Sequence, residues 1–239
     1  MKKKNLIIAA TIAVAFTGSC AETISIKNQE QFEALIPVKN VITTGGDSKT
    51  FFESESINLI AKGAAARITA YTTSIPSLDF LTEKKSITFV NTVFSHRNPG
   101  STYVGGIGIT AGAKGQVGAP SQTAASLYFR IARHSMELHL MQGDGGKHTS
   151  LYSWKLDKMF INSVLTFEEL TLTLDSGSWA VNAKITGAKA PLTGNGSFSR
   201  PYTPARWGSN FHVLLMTQQQ AEDIDRWSTM SVHEIKIAP

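Results

Sequence analysis

Glu169-Leu-Thr-Leu-Thr-Leu-Asp175, then Ser176-Gly-Ser178, then Trp179-Ala-Val-Asn-Ala-Lys-Ile185, is the stretch whose reading decides the fold. Leu170, Leu172 and Leu174 alternate with Thr171 and Thr173, the period of a strand with one oily face and one wet face. Asp175 to Ser178 carries turn residues. Trp179, Val181, Ala183 and Ile185 then share a face on the next run. The two runs predict an antiparallel hairpin.

The same rhythm extends outward. Ser126 to Ala132 places Leu127, Phe129 and Ile131 on one face and Tyr128 and Arg130 on the other. Met136 to Leu140 opposes Met136, Leu138 and Leu140 to Glu137 and His139, with a short polar link from Ala132 to Ser135, so a second hairpin is expected. Further strands are expected over 66–72, 86–94, 103–110, 211–217 and 230–237. In the last, Val232 and Ile235 fall out of phase, which suggests a bulge. Helix signals are few. Asn28 can cap a short helix carrying Phe32, Leu35 and Ile36 and ended by Pro37, and residues 218–227 have room for one more turn. Glycines crowd the loops. Gly105, Gly106 and Gly108 lie in or beside a strand and read as close strand packing. With no fixed-period repeat and no clear linker, the fold class expected is all-β, a two-sheet antiparallel β-sandwich of the jelly-roll kind with few short helices. It should occupy residues 50–239, after an export signal at 1–20 (or to 21) and a lead-in at 21–49 with the short helix.

Lys2, Lys3 and Lys4 precede an uncharged apolar run from Asn5 to Phe16, and small residues follow. That order describes an export signal, and the run is too short for a membrane span. Two exits fit. The chain could be cut after Ala21, or before Cys20 with lipid on its sulfur. Thr17-Gly-Ser-Cys20 resembles the bacterial lipoprotein box, departing from it at Thr17, where Leu is usual. The resemblance implies lipidation at Cys20 and a membrane attachment made only through that anchor. Cys20 is the sole cysteine, so the body lacks a disulfide by either route. The chain holds 23 Lys and Arg against 18 Asp and Glu. Three of those lysines belong to the signal and no basic run follows it, so nucleic-acid binding is not expected.

Leu127 to Gln142, Leu165 to Thr186 with Trp179 after its turn, and Phe211 to Ile237 together resemble successive strands of the concanavalin A-like lectin and glucanase superfamily, which includes laminin-G-like modules. The resemblance covers residues 50–239 and rests on rhythm. Laminin-G-like modules often finish with Asp-Asn in the last strand, where His233 and Glu234 stand here. Glucanases of the superfamily carry an E-x-D-x-x-E strand whose alternation puts two carboxylates on one face. That motif is absent. Glu53-Ser-Glu55 lacks the third acid, and strict alternation would send Glu168 and Glu169 to opposite faces.

Glu222, Asp223 and Asp225 cluster beside Arg226. They could offer oxygens to calcium, but no dedicated calcium-loop motif is present, and solvated charge accounts for them. His134, His139 and His148 lack zinc spacing. No cofactor is therefore expected. Trp154 and Trp179 sit at core positions of strands. Tyr202, Arg206 and Trp207, in a Pro-rich segment, and Trp227, beside a loop, are the expected ligand-binding residues. Exposed rings could stack on a sugar while Arg206 donates to its hydroxyls; plugging the end of the sandwich is the plainer role for such a ring. The function expected is a non-catalytic module that binds glycan or polysaccharide at the bacterial envelope, periplasmic, anchored at the outer membrane or extracellular. The alternatives are a glycoside hydrolase or polysaccharide lyase with an unfamiliar acid arrangement, and a structural or adhesive surface protein.

Overall fold

The computed structural model describes residues 22–97, 103–111, 125–132, 137–144, 147–156, 164–203, 210–219 and 225–239. Sixteen strands and one α-helix occur among them. The chain begins with β1 (Glu22–Ser25) and α1 (Gln29–Leu35), followed by β2 (Val41–Thr44), β3 (Asp47–Glu53), β4 (Ser56–Lys62) and β5 (Arg67–Tyr71). Next come β6 (Lys85–Arg97), β7 (Tyr103–Ala111), β8 (Ala125–Ala132), β9 (Glu137–Asp144) and β10 (Lys147–Lys155). The last third holds β11 (Leu165–Leu174), β12 (Ser178–Ile185), β13 (Leu192–Ser197), β14 (Phe211–Gln218), β15 (Trp227–Val232) and β16 (Glu234–Ala238).

They form two sheets. The nine-stranded sheet runs β13-β12-β11-β6-β15-β4-β3, with β16 also on β6 and β1 on β16. The seven-stranded sheet runs β10-β9-β8-β7-β14-β5-β2. Every described pairing is antiparallel. The two alternating hairpins take their expected places, β8 with β9 and β11 with β12. Leu170, Leu172, Ala183, Leu127, Phe129, Leu138 and Leu140 are all fully buried between the layers. This is the two-sheet jelly-roll sandwich.

The lead-in is woven into the sheets. β1 extends the nine-stranded sheet and β2 forms the edge of the seven-stranded one. α1 is capped by the Asn28 side chain, which accepts from the Gln31 amide at 2.9 Å, and it buries Phe32 against Phe52 of β3. These short segments lack a legible alternation, so their partners are set by tertiary contact. The helical turn expected over 218–227 falls largely on 220–224, outside the described residues.

The phase break near Val232 is real. His233 separates β15 from β16, and its amide donates to the Val90 carbonyl. Opposite it, Asn91 of β6 has φ 46°. On the other flank, β11 shifts register between Phe167 and Glu169. That shift corrects the expectation for Glu168 and Glu169. Phe167 and Leu170 both enter the core, so the two glutamates emerge on one outer face. There Glu168 pairs with Lys184 and accepts from Thr186. The Lys184 hydrogen bond holds the Glu168 carboxyl below its usual range, and Glu168 in turn raises the Lys184 ammonium.

The sheets are stitched at one end by hydroxyls. Thr217 of β14 and Ser228 of β15 lie 2.7 Å apart, and both donate to the Val104 carbonyl of β7. At the other end the core is closed by rings. Phe80 packs edge to face on Tyr202, 6.2 Å between centroids, and lies 5.3 Å from Phe211.

Candidate functional site

The outer face of the seven-stranded sheet is the place where described polar and aromatic side chains converge. Residues directly opposite one another across its strands line up in rows. One row runs Tyr71, Leu214, Gly108, Tyr128, Met141, Ser150. The next runs Thr69, Met216, Gly106, Arg130, His139, Ser153. β7 contributes only glycine to the middle of both rows. A Cβ on Gly108 would stand 2.2 Å from the Leu127 carbonyl oxygen, and one on Gly106 would stand 2.8 Å from that of Phe129. Bare backbone there lets Tyr128 and Met216 lie close over β7. Gly105 points the other way, toward the Phe94 ring.

Tyr71, Tyr128, Met141 and Leu214 form an apolar cluster separate from the main core, with Ile42 packed against it. Tyr128 and Leu214 are 2 % and 0 % exposed although they face away from that core. They are therefore a closed floor. Burial pushes the Tyr71 hydroxyl up to about 12, so it stays a neutral phenol. The Tyr128 hydroxyl lies 2.7 Å from His148 Nδ1, and the rings meet edge to face. Burial, and then the charge of Arg130, hold the His148 imidazole below its usual value. The neutral ring is thus favoured, and it shares one hydrogen bond with the Tyr128 hydroxyl whose donor is set by the imidazole tautomer.

What the floor leaves for contact is the polar group on β8, β9 and β10. Arg130 and His139 are half-buried, and His148 and Ser150 are exposed. Glu137 on the same face meets His139 at 3.1 Å, and Lys155 stands opposite Glu137 in the ladder. This arrangement supplies several N–H and O–H donors held on a stiff aromatic base.

A second recess lies beside Trp179 on the other sheet. It is a cleft of about 360 Å³ lined by Lys84, Thr173, Asp175, Ser178, Trp179 and Asn195, among others. Asp175 is committed to the β11–β12 turn. It accepts from the amides of Gly177 and Ser178 and from the Ser178 hydroxyl. Those bonds, the Gly177 amide first, draw its carboxyl below the ordinary value. The Trp179 and Trp154 indoles donate to the carbonyls of Ser197 and Thr193 and pack over Gly196 and Gly194. Both tryptophans are core, as expected from their strand positions.

The residues anticipated as sugar contacts are not brought together. Tyr202, expected at the surface, is 2 % exposed, and its hydroxyl donates to the Ser126 carbonyl. It plugs the end of the sandwich. The Gln142 carboxamide oxygen anchors the loop before it, accepting from the Ser199 amide and hydroxyl, while the Gln142 amide donates to the Arg200 carbonyl. Trp227 is half-buried at the start of β15, opposite Lys62 and Arg97. It sits on the outer side of the nine-stranded sheet, beyond the far end of β14 from Tyr202. Arg206, Trp207, His134, Glu222, Asp223 and Cys20 lie outside the described residues. Asp225 is exposed, and no group of three metal-ligating side chains occurs among the described residues. Tyr71 carried no sequence signal linking it to Met141 and His148, because β5 lies far in the chain from the β9–β10 hairpin.

No family model matches the sequence, and no curated protein matches it. Solved structures do. Arcelin-5, a lectin-like defence protein from Phaseolus vulgaris, superimposes with TM-score 0.57 at 12 % identity, over 91 % of this chain and 97 % of that one. The fold is that of the concanavalin A-like lectins. Lectin II from Ulex europaeus gives TM-score 0.57 at 12 % identity, over 92 % of this chain and 97 % of its own. The exoplasmic domain of VIP36, in a calcium-bound form, gives 0.52 at 11 % identity, over 83 % of each chain. Other structures in the group hold sugar, including a winged bean acidic lectin complexed with methyl-α-D-galactose at TM-score 0.57 and 9 % identity, over 91 % of this chain and 98 % of that one.

Proposed function

We propose that this chain is an exported, non-catalytic lectin-like module that binds glycan at the bacterial envelope. The observation that carries the reading is the outer face of the seven-stranded sheet. Tyr128, clustered with Tyr71, meets His148 there, and Arg130 and His139 stand opposite each other in the adjoining row of the same surface. Glycans present dense hydroxyls, and a pre-organised set of donors on a rigid sheet suits them because little side-chain freedom is lost on binding. The fold is shared with proteins whose structures contain galactose or mannose glycans. Among the described residues this face carries one carboxylate, Glu137, already met by His139, which supports binding over two-carboxylate hydrolysis. The order of residues 2–21 supports export, with the chain cut either after Ala21 or before Cys20 with lipid on its sulfur.

A glycan array followed by titration tests the reading. Retention of at least one polysaccharide is expected, with Tyr128→Phe weakening it several-fold by freeing His148 from its hydroxyl partner. Folded protein that binds no polysaccharide overturns the proposal. Arg206→Ala and Trp207→Ala in the same titration decide whether the Pro-rich segment contributes.

A further inference from the structure

On one flank of the sandwich two edge strands come together, β10 of the seven-stranded sheet and β13 of the nine-stranded one. Tyr152 of β10 stands there, 44 % exposed. Its ring meets Trp154 at 4.7 Å and Trp179 at 5.9 Å, and its hydroxyl has no hydrogen-bond partner among the described residues. The two indoles reach β13 and donate to the carbonyls of Thr193 and Ser197. Gly194 and Gly196 give them room; a Cβ there would stand 2.8 Å and 2.9 Å from an indole carbon. Asn195 lies midway between the two capped carbonyls. In an antiparallel ladder the N–H and C=O of alternate residues turn to the same side. Gly194, Gly196 and Phe198 turn toward β12, as the Phe198 amide shows by donating to the Gly177 carbonyl. The Asn195 peptide groups therefore face the free edge, where no described strand pairs with β13. We propose that this edge is a second saccharide site, in which Tyr152 stacks on one uncharged sugar ring and Asn195 holds its hydroxyls. It stands on its own residues and shares with the sheet-face reading only the class of ligand.

The pattern along the edge selects the ligand. A peptide added as a further strand needs a run of free N–H and C=O groups, and the indoles have already taken the carbonyls on either side of Asn195. One donor and one acceptor remain, at a single residue. Hydroxyls of a sugar ring both give and accept, so one such pair can serve two neighbours on the ring. A sugar ring also asks for a flat apolar partner for its C–H face, and the exposed Tyr152 ring supplies it. Trp154 and Trp179 behind it are buried and fixed by their indole bonds, so the platform loses little freedom on binding. The Asn195 side chain projects to the other face of β13, into the cleft of about 360 Å³. It is exposed and has no hydrogen-bond partner among the described residues, so it is free to meet the next ring of the same glycan. Lys84 and Asp175 line that cleft with opposite charges, which suits an uncharged ligand.

Affinity electrophoresis in the uncharged polysaccharides galactomannan, laminarin and xylan tests the site. Retention of the wild type by at least one is expected. Tyr152→Ala should weaken it about five- to ten-fold, and Tyr152→Phe, which keeps the ring, by less than about two-fold. Asn195→Pro removes the peptide N–H where an edge strand tolerates proline. It should bind several-fold more weakly than Asn195→Ala, which keeps that N–H. The Asn195 pair leaves the aromatic packing alone and decides the matter if Tyr152→Ala melts early. Wild-type retention by Tyr152→Ala, with Tyr128→Phe still weakened, overturns the second site and leaves the sheet-face reading standing. Loss in Tyr152→Ala with Tyr128→Phe unaffected does the reverse. Self-association of the wild type that Tyr152→Ala abolishes overturns the proposal too, by making the edge a contact between copies. No retention of the wild type in any of these gels overturns this site, and with a blank glycan array the sheet-face reading falls with it.

Discussion

Gly108 and Gly177 separate two uses of the same residue. At Gly108 a methyl would strike backbone, 2.2 Å from the Leu127 oxygen and 2.5 Å from the Tyr128 Cα, and neither can step aside. Gly108→Ala should cost about 1–3 kcal/mol and loosen the tyrosine floor, read as a fall in the urea midpoint. At Gly177 the only near atom is Asp175 Oδ1 at 3.9 Å, so Gly177→Ala should leave the midpoint almost unchanged. Asp175 yields a pH prediction. Hydrogen bonds favour its charged form and lower its folded value. Its contribution is therefore present above the ordinary carboxylate value, near pH 4, and disappears as pH falls through the lowered folded one. The stability gap between wild type and Asp175→Asn should be full at neutral pH and close in acid; a gap independent of pH would mean the carboxylate charge is irrelevant to the turn.

At the scale of elements, the irregularity in the nine-stranded sheet is built from three strands at once. Asn91 in β6, His233 between β15 and β16, and the register shift in β11 sit side by side. Asn tolerates the left-handed region better than other non-glycine residues, and a β-branched side chain tolerates it worst. Asn91→Val should destabilise by about 1–2 kcal/mol, whereas Asn91→Gly should be neutral or slightly stabilising. Equal stability of the two variants in denaturant melts would show that the kink relaxes freely. The break at Val232 was readable because two apolar residues fell out of phase. The matching break in β11 was not, since Glu168 and Glu169 read equally well as an alternating pair until Phe167 and Leu170 are both seen inside.

For the whole molecule, the question is what registers one sheet on the other. Apolar packing is non-directional, but the Thr217–Ser228–Val104 cluster is not. It ties β14 and β7 of one sheet to β15 of the other through buried hydroxyls. Thr217→Val alone should cost about 1 kcal/mol or less, because the Ser228 hydroxyl still donates to the Val104 carbonyl. Adding Ser228→Ala should cost more than the sum of the single changes, about 1–3 kcal/mol in excess, since the buried Val104 carbonyl would then have lost both donors. Strict additivity in a double-mutant cycle by calorimetry would show that the hydroxyls act separately. The sheets also join distant chain segments, β4 to β15 and β1 to β16. Such pairing requires closure of nearly the whole chain before it is rewarded.

The sequence by itself determined the layered all-β class, the two clear hairpins and the core places of Trp154 and Trp179. These follow from side-chain alternation, which is local and needs no partner to be read. It also supplied the short capped helix, because a cap and its first turn are neighbours in the chain. Only the tertiary structure decided that β1 and β2 join the sheets, that Tyr202 is a plug, and that Tyr71, His139 and His148 join Tyr128 and Arg130 on one face. Those facts depend on register between strands many residues apart, and register is set by packing across the whole sandwich rather than by any single run of residues.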